Sequence, residues 1–244
     1  MIGLGTLINT AAIIAGGFVG LLFKNVMTEK QQKSLNVACG VGSLFLGLSG
    51  AIQGMIRIED GKLTGYNSML VVLSLAIGAF IGELLDLDGA FERFGEWLKV
   101  KTKNSKDKDF VDAFVTTSLT VSIGAMAILG SIRDGLVGDY SILAVKAVLD
   151  FIIVAVLCCS LGKGCVFSAI PVFVFEGTLT LLASLIAPVM TDQALANLSL
   201  VGSILIFCVG LNLLFGKKVR VANFLPAVIL AAVAAFLPFS FLSQ

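Results

Sequence analysis

The sequence predicts an all-α polytopic membrane protein of about eight transmembrane helices, forming a single integral membrane domain over residues 1–244. Three observations predict it. First, 57% of the 244 residues are hydrophobic and only 14% are charged, with a mean hydropathy of +1.01, whereas soluble domains carry about a quarter charged residues. Second, apolar runs of some twenty residues, enough for a helix to cross ~30 Å of hydrocarbon, follow one another along the chain. Third, the connections are short, except for "DLDGAFERFGEWLKVKTKNSKDKD" at 86–109, so no separate soluble domain fits between the spans.

The first span, at 2–23, opens with "MIGLGTLINT", which lacks the basic leader region and small-residue cleavage site of a secretory signal and is expected to stay in the protein. It carries Asn9, and its "GGFVGLLF" at 16–23 is echoed by "GAFIGELL" at 78–85 in the third span, 66–86. Gly16 with Gly20 and Gly78 with Gly82 form small-residue faces that let helix backbones approach closely. These faces are expected inside the bundle, with a seam between copies of the chain as the alternative use.

The second span covers 35–56 and the fourth 111–132. The fourth carries Thr116 and Thr120 on one helical face, where hydroxyls either line a hydrated path or bond to backbone one turn back. The 86–109 segment ahead of it repeats Phe91, Phe94, Trp97 and Leu98 at helical spacing among charges, as in an amphipathic helix lying on the inner headgroups.

The fifth span, 140–161, contains "SILAVKAVLDFIIVAVL", apolar except for Lys146 and Asp150. Residues four apart share a helical face, so the two can pair. An isolated charge there costs roughly 2.5 to 3.5 kcal/mol on insertion scales, which directs that face into protein or water and away from lipid. The sixth span, 165–189, reads "FSAIPVFVFEGTLTLLASLIAP". Pro171 removes a backbone donor and Gly177 weakens helix, so a break is expected between them, with Glu176 beside it as a carboxylate or a protonated acid. The seventh span, 195–215, holds Asn212, and the eighth covers 222–242.

Eight spans sort the basic residues sharply. Thirteen of the 17 Lys and Arg fall in odd-numbered loops and three in even ones, the remaining one being Lys146. By the positive-inside rule both termini lie outside and the 86–109 loop is cytoplasmic. Gly50, Gly130 and Gly210 recur every 80 residues near span ends, a spacing that fits inverted three-helix repeats formed by spans 1–3 and 6–8.

Histidine is absent, which excludes His-based triads and His-ligated metal sites. The five cysteines lie in or beside apolar spans, as packing residues rather than a disulfide framework. No pattern calls for a cofactor, no catalytic motif supports an enzyme, and nothing points to nucleic acid.

The motifs "FVTTSLTVSIGAMAILGSIRDGLVGDYSILAVKAVLD", "FSAIPVFVFEGTLTLLASLIAP", "VGSILIFCVGLNLL" and "VRVANFLPA", with "IGELLD" at 81–86, carry a resemblance over essentially the whole chain. The sequence resembles the bacterial inner-membrane proteins grouped as domain of unknown function 554, the YdfK/YqgA-like family. That resemblance implies a polytopic bacterial membrane protein and no particular reaction.

Two functions therefore compete on the residues themselves. A small-solute or ion transporter would use Lys146, Asp150, Glu176 and Gly177 at mid-membrane, with Thr116, Thr120, Asn9 and Asn212 along the pathway. A non-transporting scaffold or regulatory protein would use the glycine faces and the basic loop to bind a membrane partner. A cavity reaching Asp150 and Glu176 separates the two, because transport needs it and scaffolding does not.

Overall fold

Apolar runs without an internal proline become long helices along most of the chain. The structure is a computed structural model and describes residues 1–59 and 61–236. Helix α1 (Leu4–Val26) leads to α2 (Glu29–Met55), whose start is fixed by a capping box. Thr28 Oγ1 accepts from the Gln31 backbone N–H at 3.3 Å, and Gln31 Oε1 accepts from the Thr28 N–H at 2.8 Å. A two-stranded antiparallel hairpin, β1 (Ile56–Glu59) with β2 (Lys62–Gly65), joins α2 to α3 (Ser68–Leu85). This small sheet is an addition to the all-helical expectation. Helix α4 (Leu87–Lys101) forms within the charged 86–109 segment, as its periodicity predicts.

The fourth span differs from expectation. It divides into α5 (Phe110–Ser122) and α6 (Ala125–Val137), bent by 64° at their junction. Helix α7 (Ser141–Leu161) is unbroken. A 3-10 turn (Lys163–Ser168) then runs into α8 (Ala169–Leu181), a short α9 (Ala183–Ile186) and α10 (Asp192–Phe215). A second 3-10 turn (Val221–Phe224) precedes α11 (Leu225–Ala234). Among the described residues six helical segments are long and apolar enough to cross a membrane, and seven when the bent α5–α6 pair is counted as one. The eighth span appears as the shorter apolar stretch Val221–Ala234, and its expected residues 237–242 lie outside the described residues.

Three helix pairings fix the relative directions of the segments involved. Gly5, Gly16 and Gly20 of α1 meet Leu143, Phe151 and Ala155 of α7 in the same order, a parallel pair. Gly47 and Gly54 of α2 meet Phe207 and Leu200 of α10, and Gly78 and Gly82 of α3 meet Ala227 and Asn223, both antiparallel. The glycine faces thus pack inside the bundle, backbone against backbone. A β-carbon on Gly82 would overlap the Asn223 carbonyl oxygen. Gly82→Ala is accordingly expected to lower stability by about 1–3 kcal/mol, the usual range for overpacking. An unchanged unfolding midpoint in detergent would show that the two segments do not approach this closely.

The odd loops gather at one end of the molecule. Asn36 Nδ2 donates to the Leu213 carbonyl at 3.0 Å, Lys217 bonds to Asp88 at 2.6 Å, and the Lys24 ammonium lies against Gly162. At the opposite end the 137–141 turn lies beside the amino terminus, with the Met1 nitrogen 3.5 Å from where a β-carbon on Gly138 would stand. Outward faces are apolar, as lipid contact requires: Phe45, Phe80, Leu84, Val148 and Leu181 are each more than half exposed. The Phe94 ring of α4 packs edge-on against Phe114 of α5 and stacks on Trp97, so the apolar face of α4 is shared between the bundle and the surroundings.

Candidate functional site

Helix α7 has two contrasting faces. Val148 and Ile152 are 61% and 53% exposed, whereas Lys146 and Asp150 are 6% and 4% exposed. The charged face turns inward, where three other elements meet it. Lys146 Nζ donates to Asp150 on its own helix, lies 3.4 Å from Glu176 Oε1 of α8, and donates to the Val121 carbonyl of α5 at 2.8 Å. Asn9 of α1 completes the cluster, its Nδ2 donating to Asp150 Oδ2 at 3.1 Å and to Glu176 Oε1 at 2.8 Å. One ammonium and one carboxamide thus serve two buried carboxyl groups, and Glu176 Oε2 and Asn9 Oδ1 have no partner among the described residues.

The Val121 carbonyl is available because α5 ends. In an unbroken helix it would accept from the backbone N–H four residues on, at Ala125, but the chain bends at Ile123–Gly124 and α6 starts afresh at Ala125. The freed carbonyl sits at the negative end of the α5 dipole, where a cation is favoured. Lys146 supplies that cation. The sharp bend therefore lies in the fourth span and not between Pro171 and Gly177 of the sixth, where α8 runs without interruption through Glu176 and Gly177 and ends only at Leu181. Pro171 falls in the first turn of α8, where a missing N–H breaks no helical bond. Gly177 consequently marks no break, and the nearest atom to a β-carbon placed there is Thr6 Cγ2 at 4.0 Å.

A cavity of about 520 Å³ reaches the cluster between α2, the α5–α6 junction, α7 and α10. Lys146, Asp150, Thr120, Ser43 and Ser203 line it, together with Gly124 at the bend. Glu176 is fully buried behind them and is not among its lining residues. Thr120 Oγ1 donates to the Thr116 carbonyl at 2.7 Å, and Thr116 lines a second cavity of about 230 Å³ at the charged end, with Asn36, Asp88, Asp112 and Lys217. The two threonines thus face different cavities along one helix. Asn212 also borders the charged-end cavity, but its side chain is engaged: it donates to the Val219 carbonyl at 2.7 Å and accepts from the Lys218 and Val219 N–H groups at 2.9 Å, pinning the 216–219 turn.

That end is closed by an ion network which the sequence pattern does not reveal, because its members come from distant segments. Asp88, buried at the start of α4, receives Lys217 at 2.6 Å and the Arg220 Nε at 3.4 Å, while Arg220 also pairs with Glu83 at 2.6 Å. Desolvation works against the Lys217 charge, yet its hydrogen bonds to Asp88 and Glu92 raise its pKa above the ordinary lysine value.

The residues described span one family unit. The family model for "Protein of unknown function (DUF554)" matches residues 4–236. The chain belongs to that family. The DUF554 relatives include "Uncharacterized membrane protein YdfK" of Bacillus subtilis (strain 168), 31% identical over 237 residues and covering 97% of each chain. "Uncharacterized protein YqgA" of Escherichia coli (strain K12) is 29% identical over 232 residues, 93% of this chain and 94% of that one. No solved structure matches the chain. The apolar helices and the name of the YdfK relative agree on a membrane protein of the DUF554 family.

Proposed function

We propose that the protein moves a small solute or ion across the bacterial inner membrane, with both termini outside, through a site formed by Asn9, Lys146, Asp150 and Glu176. The cavity that reaches Lys146 and Asp150 beside a broken helix is the observation that carries this reading. Irregular backbone at membrane depth is tolerated where it lines such a cavity, and buried ions in membranes mark solute and ion pathways. The antiparallel pairings of spans 1 with 6, 2 with 7 and 3 with 8 support two inverted three-span units as the frame that would rock around the site.

The reading is tested by placing a cysteine at Thr120 in a background without the native five. Reaction with a water-soluble thiol reagent, together with uptake of one of a panel of labelled cations, amino acids and small acids into proteoliposomes, is the expected result. Failure of both would sink the transport reading. In the same labelling, a cysteine at Lys106 is expected to react from the cytoplasmic side alone, and reaction from outside would reverse the orientation. A scaffold role is the second reading. The full enclosure of Glu176, away from the cavity lining, favours it.

A further inference from the structure

Helix α6 carries a second buried carboxyl group. Asp134 and Ser131, three residues apart and so on one face, are both fully buried. Asp134 Oδ2 accepts from the Gly5 N–H of α1 at 2.9 Å, but Asp134 Oδ1 and Ser131 Oγ have no hydrogen-bond partner among the described residues. No cation among the described residues pairs with Asp134, since its neighbour Arg133 turns to Asp139 at 3.5 Å. Capping of α1 accounts for Oδ2 and leaves Oδ1 and the serine unexplained.

The same contacts lead from Asp134 to the site. Gly5 precedes Thr6, whose Oγ1 lies 3.3 Å from Thr180 Oγ1 of α8. Gly135, next to Asp134, is pressed against the Thr180 carbonyl. One turn along α8 from Thr180 is Glu176, and one turn along α1 from Thr6 is Asn9, which donates to Glu176 at 2.8 Å. Thr6 and Thr180 are 2% and 5% exposed. Among the described residues two carboxyl groups, each with one unpartnered oxygen, thus lie within about a helical turn along the chain of a buried hydroxyl pair. Since no hydrogen bond joins the pair to either carboxyl, a transfer needs a side-chain rotation or a bridging water at each end. Hydroxyls accept and donate at once, and so little exposed surface suits a proton rather than a hydrated ion.

We infer that Asp134 is a proton station at the amino-terminal end of the bundle and that the Thr6–Thr180 pair relays its proton to Glu176, an inference that rests on the transport reading. In the transfer the Asp134 carboxyl releases one proton to the hydroxyl pair as the pair passes one to the Glu176 carboxylate. One O–H bond breaks and one forms at each step, and the net change is a single proton moved. Around Glu176 the charged partners are Lys146 and Asp150 of α7, with Asn9 of α1. Around Asp134 they are the Arg133–Asp139 pair at the surface and the Met1 amino group, which lies against Gly138 one turn along the chain.

The experiment uses the full chain in proteoliposomes with a trapped pH dye, a potassium gradient and valinomycin, so that the proton itself is the probe. Wild-type vesicles should acidify faster than protein-free ones, and Asp134→Asn should slow the excess rate by about a hundred-fold, the scale of a lost proton-transfer group. Thr6→Val should slow it likewise and Thr6→Ser should restore it, which a packing role for Thr6 would not do. This pair decides the matter if Asp134→Asn does not fold. Wild-type rates in Asp134→Asn, or in Thr6→Val, overturn the relay and leave the transport site standing. A wild-type protein that admits protons no faster than empty vesicles overturns the relay and proton coupling at Glu176 together.

Discussion

Lys146→Ala is expected to be the most damaging single substitution in the protein, lowering stability by about 3 to 5 kcal/mol, the range for breaking a buried ion pair from one side. The geometry explains the size. Lys146 is held by Asp150, Glu176 and the Val121 carbonyl at once, so its loss leaves two buried carboxyl groups and the open end of α5 facing an apolar gap. Removing Asp150 as well leaves one carboxyl group, which Asn9 still contacts, so Lys146→Ala with Asp150→Ala should unfold at a higher temperature than Lys146→Ala alone. Adding Glu176→Gln to that pair should recover more. The check is thermal unfolding in detergent with the yield of folded protein. Strictly additive losses along the series would mean that the three side chains do not act as one unit.

The sequence discloses this cluster only in part, for reasons that differ from residue to residue. Lys146 and Asp150 are legible because a four-residue spacing puts them on one face whatever the surroundings, and Glu176 because a carboxyl group in an apolar run needs a partner. The glycine faces are legible for a similar local reason. Which helix each would meet is not, since Gly16 and Gly20 seat on a segment more than a hundred residues away. The sequence points to a break between Pro171 and Gly177 because proline is the visible breaker, but a proline in a first turn disturbs nothing, while the bend at Ile123–Gly124 is supported by a lysine 25 residues distant in sequence from the carbonyl it takes. Asn9 read as one of several uncharged spans' polar residues, and only the fold shows that it contacts both acids. Asp134 is not legible because "SIRDG" looks like the end of a span, whereas α6 continues to Val137 and buries it.

Glu176→Gln is expected to separate folding from coupling. The glutamine keeps the shape of the side chain and a carbonyl oxygen in place of Oε1, so Asn9 can still donate to it. It removes one of the two acids that share Lys146, which leaves Lys146 matched to Asp150 alone. The variant should therefore fold with a stability no lower than that of the parent, because a buried ion without a full partner is costly and this change removes one. On the proposed transport reading, activity should divide in the opposite sense. A group that alternates between protonated and ionised forms is what would tie solute movement to a proton gradient, and glutamine cannot alternate. Solute already bound should still exchange across the membrane at equal concentrations, whereas accumulation driven by a pH gradient should disappear. Proteoliposomes loaded with a transported solute measure both quantities in one preparation. Gradient-driven accumulation by the glutamine variant at the wild-type rate would assign Glu176 to packing and leave Asp150, which alone of the two acids lines the cavity, as the group that carries the proton.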